Sequence, residues 1–305
     1  MKGTLAQDYV TVVGASYLGF IANIRGQRGN MMNFINQGIR QLKSYPPSTP
    51  SYSIQRAFLI FKDEYDPNLL AEVKKIVTEG YGAEYREYDS ISQLVDFVAS
   101  RKRRSREIKQ MDFFSHGVVG SIELGYELDK RDSYRLRDAQ ARMFTPDAFA
   151  YGAKIYSYAC RTGLGINASV KVAENEDPHF ELSLAQIMAD ATGTTVWAFP
   201  RRSLYDQTYG TNEDRAAVEQ APTKQETDKA ASRAYRENLS DYQRRLTAHR
   251  TASKDPALLK QAQGRGHYND TLGYPLDAEG AVHGVRSGNT PDGVPKKLCE
   301  YKPAK

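Results

Sequence analysis

The chain has 305 residues, 40% of them hydrophobic and 26% charged, with a formal net charge of +5. This length and composition support a real core in one large domain with extensions, or in two smaller ones. The small net charge argues against a nucleic-acid binder, which concentrates a basic face, and no apolar stretch is long enough to span a bilayer.

The first nine residues are too polar for a secretory signal peptide. Only two cysteines occur, Cys160 and Cys299. A disulfide framework is therefore not expected, and a reducing compartment is. The expected location is the cytoplasm, or a target cell reached by export without a signal peptide. No Cys-x-x-Cys or His-Glu-x-x-His spacing supports a metal site, and no cofactor is called for.

Residues 1–55 read as an N-terminal extension. Residues 9–13 suit a strand. Gly14, Gly19, Gly26 and Gly29 follow without the Gly-x-Gly-x-x-Gly spacing, and read as turns. Residues 56–205 form a regular α/β core. Residues 56–62 are a nearly unbroken apolar run, as in a strand buried on both faces. Leu69, Leu70, Val73, Ile76 and Val77 recur at helical spacing up to Gly80. Residues 83–88 read as the next strand. Ser90 and Gln93 read as a capping box before Ile91, Leu94, Val95 and Val98. Residues 111–115 are a strand ending at His116, and residues 121–126 belong to a small hairpin. Residues 154–159 are a strand ending at Cys160. Ser183 and Gln186 cap a helix stopped by Gly193, and residues 194–199 form a further strand.

Residues 206–305 are read as a charged helical segment followed by an irregular tail. Ala231, Tyr235, Leu239, Tyr242 and Leu246 make a thin stripe on a charged background. Strands alternating with helices imply a mostly parallel sheet with helices on both faces. Functional groups of such sheets gather beyond the carboxyl ends of the strands. His116 and Cys160 both fall there, and a thiol beside an imidazole is a potential nucleophile.

Strand-His116-Gly117 followed by strand-Ala159-Cys160-Arg161-x-Gly163 resembles the caspase-like cysteine peptidases, a group including caspases, metacaspases, gingipains and toxin self-processing domains. The resemblance implies an α/β caspase-like fold and a cysteine endopeptidase acting on protein substrates. It implies Cys160 as nucleophile, His116 as its proton partner, and the backbone N–H groups of Gly117 and Cys160 as the oxyanion site. For substrate binding it points to Tyr158 beside the nucleophile, Asp112 in the His116 strand, and Trp197 and Arg202 after the last core strand. Tyr158 matches neither the Asp nor the Gln of family members, so basic and Asp specificity are both open. Residues 273–303 resemble the ends of bacterial secretion-system effectors, which implies a toxin with a cognate immunity or regulatory protein. The alternative is a catalytically inactive caspase-like binding or regulatory module. The basic run Arg101-Lys102-Arg103-Arg104-Ser105-Arg106 reads as a solvated helix end or as an anion-binding patch.

Overall fold

A computed structural model describes residues 5–15, 32–62, 65–125, 132–205 and 276–304. β1 (Leu5–Val13) and β2 (Tyr52–Phe61) are parallel neighbours. Between them lies α1 (Asn33–Ser44), whose Phe34, Ile35, Ile39 and Leu42 are buried at helical spacing. Gly38 lets α1 press onto the sheet, because a Cβ there would lie 2.7 Å from both Phe58 and Val13. α2 (Pro67–Lys75) begins with Asp66, whose carboxylate accepts from the Asn68 and Leu69 N–H groups. It runs on through a π turn to Gly80, and β3 (Glu84–Tyr88) follows.

α3 (Ile91–Arg103) starts at the expected box, the Gln93 side chain accepting from the Ser90 N–H. β4 (Glu107–Phe114) leads into a small antiparallel sheet of β5 (His116–Val118), β6 (Ser121–Glu123) and β7 (Arg135–Leu136). β8 (Phe149–Ser157), α4 (Leu184–Thr192) and β9 (Thr195–Ala198) complete the regular part. Ser183 caps α4 by accepting from the Gln186 N–H, and Gly193 ends it with φ +65°. β10 (Ser203–Leu204) pairs with β11 (Arg286–Ser287), and β12 (Cys299–Tyr301) pairs antiparallel with β9.

The central sheet has the order β3-β2-β1-β4-β8-β9-β12 and is parallel except at β12. One face packs Val10, Leu59, Met111, Phe113, Ile155 and Val196 into a core with α3 and α4. The other packs Phe58, Ile60 and Phe114 with α1 and α2. The chain is therefore a mixed α/β structure with a largely parallel sheet flanked by helices.

Several details depart from the sequence reading. Residues 5–13 form an interior strand of the sheet, between β2 and β4, rather than lying outside it. The C-terminal residues return to the core: Asn36 Oδ1 accepts from the Asp277 N–H, and Arg40 donates to the Val282 carbonyl. Three side chains of the basic run have acidic partners: Arg101 and Arg106 both pair with buried Asp8, and Lys102 pairs with Asp147. The apolar stripe at residues 231–246 lies outside the described residues. Among the described residues no helix is long and apolar enough to cross a membrane.

Candidate active site

The strand register aligns carboxyl ends along one edge. Val13 of β1 lies beside Phe114 of β4, Phe113 beside Ser157 of β8, and Ser157 beside Ala198 of β9. The chain order reverses between β1 and β4, which makes that edge a switch point. Beyond it, β4 turns directly into His116 and Gly117, and β8 turns into Ala159, Cys160 and Arg161.

These two turns touch. A Cβ on Gly117 would lie 2.8 Å from the Ala159 Cβ, 2.8 Å from the Cys160 carbonyl oxygen and 3.0 Å from the Cys160 nitrogen. Only a residue without a side chain allows that approach. Arg161 holds φ +58°, an uncommon left-handed value for a bulky residue, which costs of order 1–3 kcal/mol. The surrounding bonds fix it: its N–H donates to the Arg201 carbonyl and its guanidinium to the Ala168 carbonyl. Thr162 hydrogen-bonds Ser157, and the Thr162 carbonyl accepts from the Ala185 N–H at the start of α4.

His116 packs edge-on against Phe34 of α1, with ring centroids 4.8 Å apart. Its Nε2 is shut away from solvent. Burial holds the imidazole pKa down at about 4, against the opposing pull of Glu123. The ring is therefore neutral near pH 7. Phe34 also meets Tyr205 edge-on, and the Tyr205 hydroxyl donates to the Tyr158 carbonyl.

Cys160 is half-buried, and its sulfur faces Ser203. The Ser203 N–H donates to Sγ at 3.2 Å, and the Ser203 hydroxyl lies 3.2 Å from the same atom. Ser203, Tyr205 and Phe34 escape detection in the sequence. They carry no motif, and they reach the site through α1 and through the loop after β9.

The structure thus brings Gly117 against the Cys160 turn, with His116 adjacent to Gly117 in β5. Tyr158 stacks on Phe114 at 4.8 Å, and its N–H donates to the Phe113 carbonyl. Asp112 and Trp197 lie within the strands, short of the edge. Asp112 is fully buried and accepts from Tyr45 and Gln110, while Trp197 stacks on Tyr156. The Arg202 side chain is exposed, and its backbone exchanges hydrogen bonds with Gly288 and Thr290. Asp177, His179 and Glu181 meet on the surface, in a turn held by their own hydrogen bonds.

No protein-family model matches the chain, and neither does any curated protein. Among the solved structures similar to it are two at low identity. BdcA in complex with NADPH shows 15% identity and a TM-score of 0.32, with 64% of this chain and 69% of that one covered. A doubly substituted short-chain dehydrogenase/reductase of Serratia marcescens shows 13% identity and a TM-score of 0.28, with 62% and 63% covered. The first is described as a complex with NADPH and the second as a short-chain dehydrogenase/reductase, and neither as a peptidase.

No comparison supports the caspase-like assignment, which gives way to the coarser description of a mixed α/β fold with a largely parallel sheet. With it go the endopeptidase activity on protein substrates, the inactive caspase-like alternative, and the bacterial effector toxin. The sheet order agrees with the correction, because β3-β2-β1-β4-β8-β9 follows the strand order of doubly wound nucleotide-binding sheets. The physical reason is general. Any parallel sheet wrapped by helices exposes short turns at its carboxyl edge, so a His-Gly turn and an Ala-Cys-Arg turn there do not define one family.

Proposed function

We propose that the chain is an enzyme whose carboxyl-edge site works by covalent thiol chemistry on a carbonyl compound. The contact between the Gly117 turn and the Cys160 turn carries this reading, because it sets the residue after His116 against the backbone of Cys160 at one edge. Cys160 Sγ would bond to the carbonyl carbon while the carbonyl π pair moves onto oxygen. The thiol proton would pass to His116. The N–H groups of Gly117 and Cys160 are the donors assigned to the developing oxyanion. One such donor contributes about 2.7–4 kcal/mol of transition-state stabilisation.

The described start of the turn after β1, Gly14 and Ala15, offers no free N–H group to a dinucleotide such as the one named for one of the similar structures. In such sheets the turn after the first strand offers free N–H groups to the pyrophosphate. Here the Gly14 N–H donates to the Phe114 carbonyl and the Ala15 N–H to the Leu124 carbonyl. A Cβ on Gly14 would meet Ser115 at 2.7 Å, so this glycine serves packing.

The test is labelling with a small aldehyde or α-halo ketone, followed by mass spectrometry. The expected result is an adduct on Cys160 well ahead of Cys299, slowed by His116→Gln. Equal labelling of the two thiols would sink the reading.

A further inference from the structure

Resting on the thiol chemistry proposed above, we infer that Arg161 anchors a carboxylate on the carbonyl compound that Cys160 attacks. Arg161 directly follows Cys160, and it is 7% exposed. A guanidinium stays charged at any working pH, so burying one is costly unless an anion offsets it. Among the described residues no Asp or Glu pairs with Arg161. The ionisable groups that act on it are Arg202, of like sign, and Cys160, and neither is a carboxylate.

The free donors lie along one edge of the guanidinium. Nη1 donates to the Ala168 carbonyl at 3.1 Å and to the Ser169 hydroxyl at 3.4 Å. Nε is buried without a partner. Nη2 makes no hydrogen bond among the described residues, yet it is not shut away from solvent. Nε–H and one Nη2–H point the same way in the planar group, a fork that fits the two oxygens of a carboxylate. A phosphate would bring a further oxygen and further charge, for which this edge has no donor. The side chain does not serve to shape the turn, since φ +58° at residue 161 suits glycine better than arginine. The loop after β9 joins the fork to the thiol. Its Arg201 carbonyl accepts from the Arg161 N–H at 3.0 Å, and its Ser203 N–H donates to Cys160 Sγ at 3.2 Å. A compound whose carboxylate takes the fork is therefore held on the turn that carries the nucleophile.

The experiment measures protection of Cys160 from iodoacetamide in the full-length chain by two keto acids of different spacing, 2-oxobutanoate and 4-oxopentanoate. The neutral ketone 2-pentanone and inorganic phosphate are the comparison probes. At least one keto acid is expected to protect saturably, and to bind the Cys160→Ser chain by calorimetry, where 2-pentanone does neither. Arg161→Gln should weaken that binding by about tenfold. Arg161→Lys, which keeps the charge and loses the fork, repeats the comparison should the glutamine variant fail to fold, and should also weaken binding. Equal protection by the keto acids and 2-pentanone, or binding unchanged in either variant, would overturn the inference while leaving a reactive Cys160 intact. Protection by phosphate as strong as by the keto acids would overturn the assignment to a carboxylate. Arg161-dependent binding to the Cys160→Ser chain, in a protein whose Cys160 labels no faster than Cys299, would instead overturn the thiol chemistry and leave Arg161 as a carboxylate site alone.

Discussion

Gly117 and Cys160 meet backbone to backbone: the position a Gly117 side chain would take lies 2.8 Å from the Cys160 carbonyl oxygen. One missing carbon thus joins the turn after β4 to the turn after β8. Gly117→Ala forces one backbone away from the other, because no flexible side-chain end can yield there. The expected loss is about 1–3 kcal/mol in stability, together with selective labelling of Cys160. Denaturant unfolding and labelling on the same sample would check it. Unchanged labelling would show that the contact does not position the thiol.

How much of this was legible in the sequence differs by element. The sequence shows the buried halves of β2 and β4 as strands at residues 56–62 and 111–115, because buried parallel strands read as apolar runs, and it does not show their more exposed starts at residues 52–55 and 107–110. Both capping serines, Ser90 and Ser183, were visible from local spacing alone. α1 was missed although Phe34, Ile35, Ile39 and Leu42 carry its period, because nearby glycines and prolines dominated the reading. β10, β11 and β12 were missed for another reason. Strands of two or three residues have no period, and their pairing is set by partners far along the chain. The family assignment failed where two short turns were asked to stand for a whole fold.

The C-terminal segment makes one such distant connection checkable. Gly280 holds φ +76°, and a Cβ there would lie 2.3 Å from the Arg40 nitrogen in α1. Gly280→Val meets both strain and collision, so residues 277–283 should lose their seat on α1. Amide hydrogen exchange would report it as lost protection at Ala281, whose N–H donates to the Asn36 carbonyl. Protection equal to that of the parent chain would refute the claim.

Asp8 and Arg101 form a buried ion pair at 2.6 Å, with side chains 0% and 1% exposed. Arg101 also lies over the Phe97 ring at 3.9 Å. Removing one partner leaves a charge with no water to replace it. Asp8→Ala is expected to cost about 3–5 kcal/mol. Replacing both, as in Asp8→Leu with Arg101→Met, should cost much less than the single change. Denaturant titration of the two singles and the double would measure the coupling. Additive losses would mean that the pair does not act as a unit.

Two buried groups give the stability opposite slopes with pH. Burial raises the Asp112 pKa from 3.8 to about 7, although the Tyr45 and Gln110 hydrogen bonds pull it down. The folded chain then holds that proton more tightly than the unfolded one, so its contribution is full below about pH 4 and is lost as pH rises through about 7. His116 is the reverse. Its folded pKa of about 4 lies below the ordinary 6.5, so its contribution is full above 6.5 and is lost as pH falls through about 4. Between those limits each slope is at most about 1.4 kcal/mol per pH unit, and the two oppose each other. Asp112→Asn should therefore gain stability relative to the parent as pH rises from 4 to 7. His116→Gln should gain relative to the parent as pH falls from 6.5 to 4. Urea unfolding at three pH values in that window tests both, and difference curves flat with pH would show that burial does not set these two protonation states.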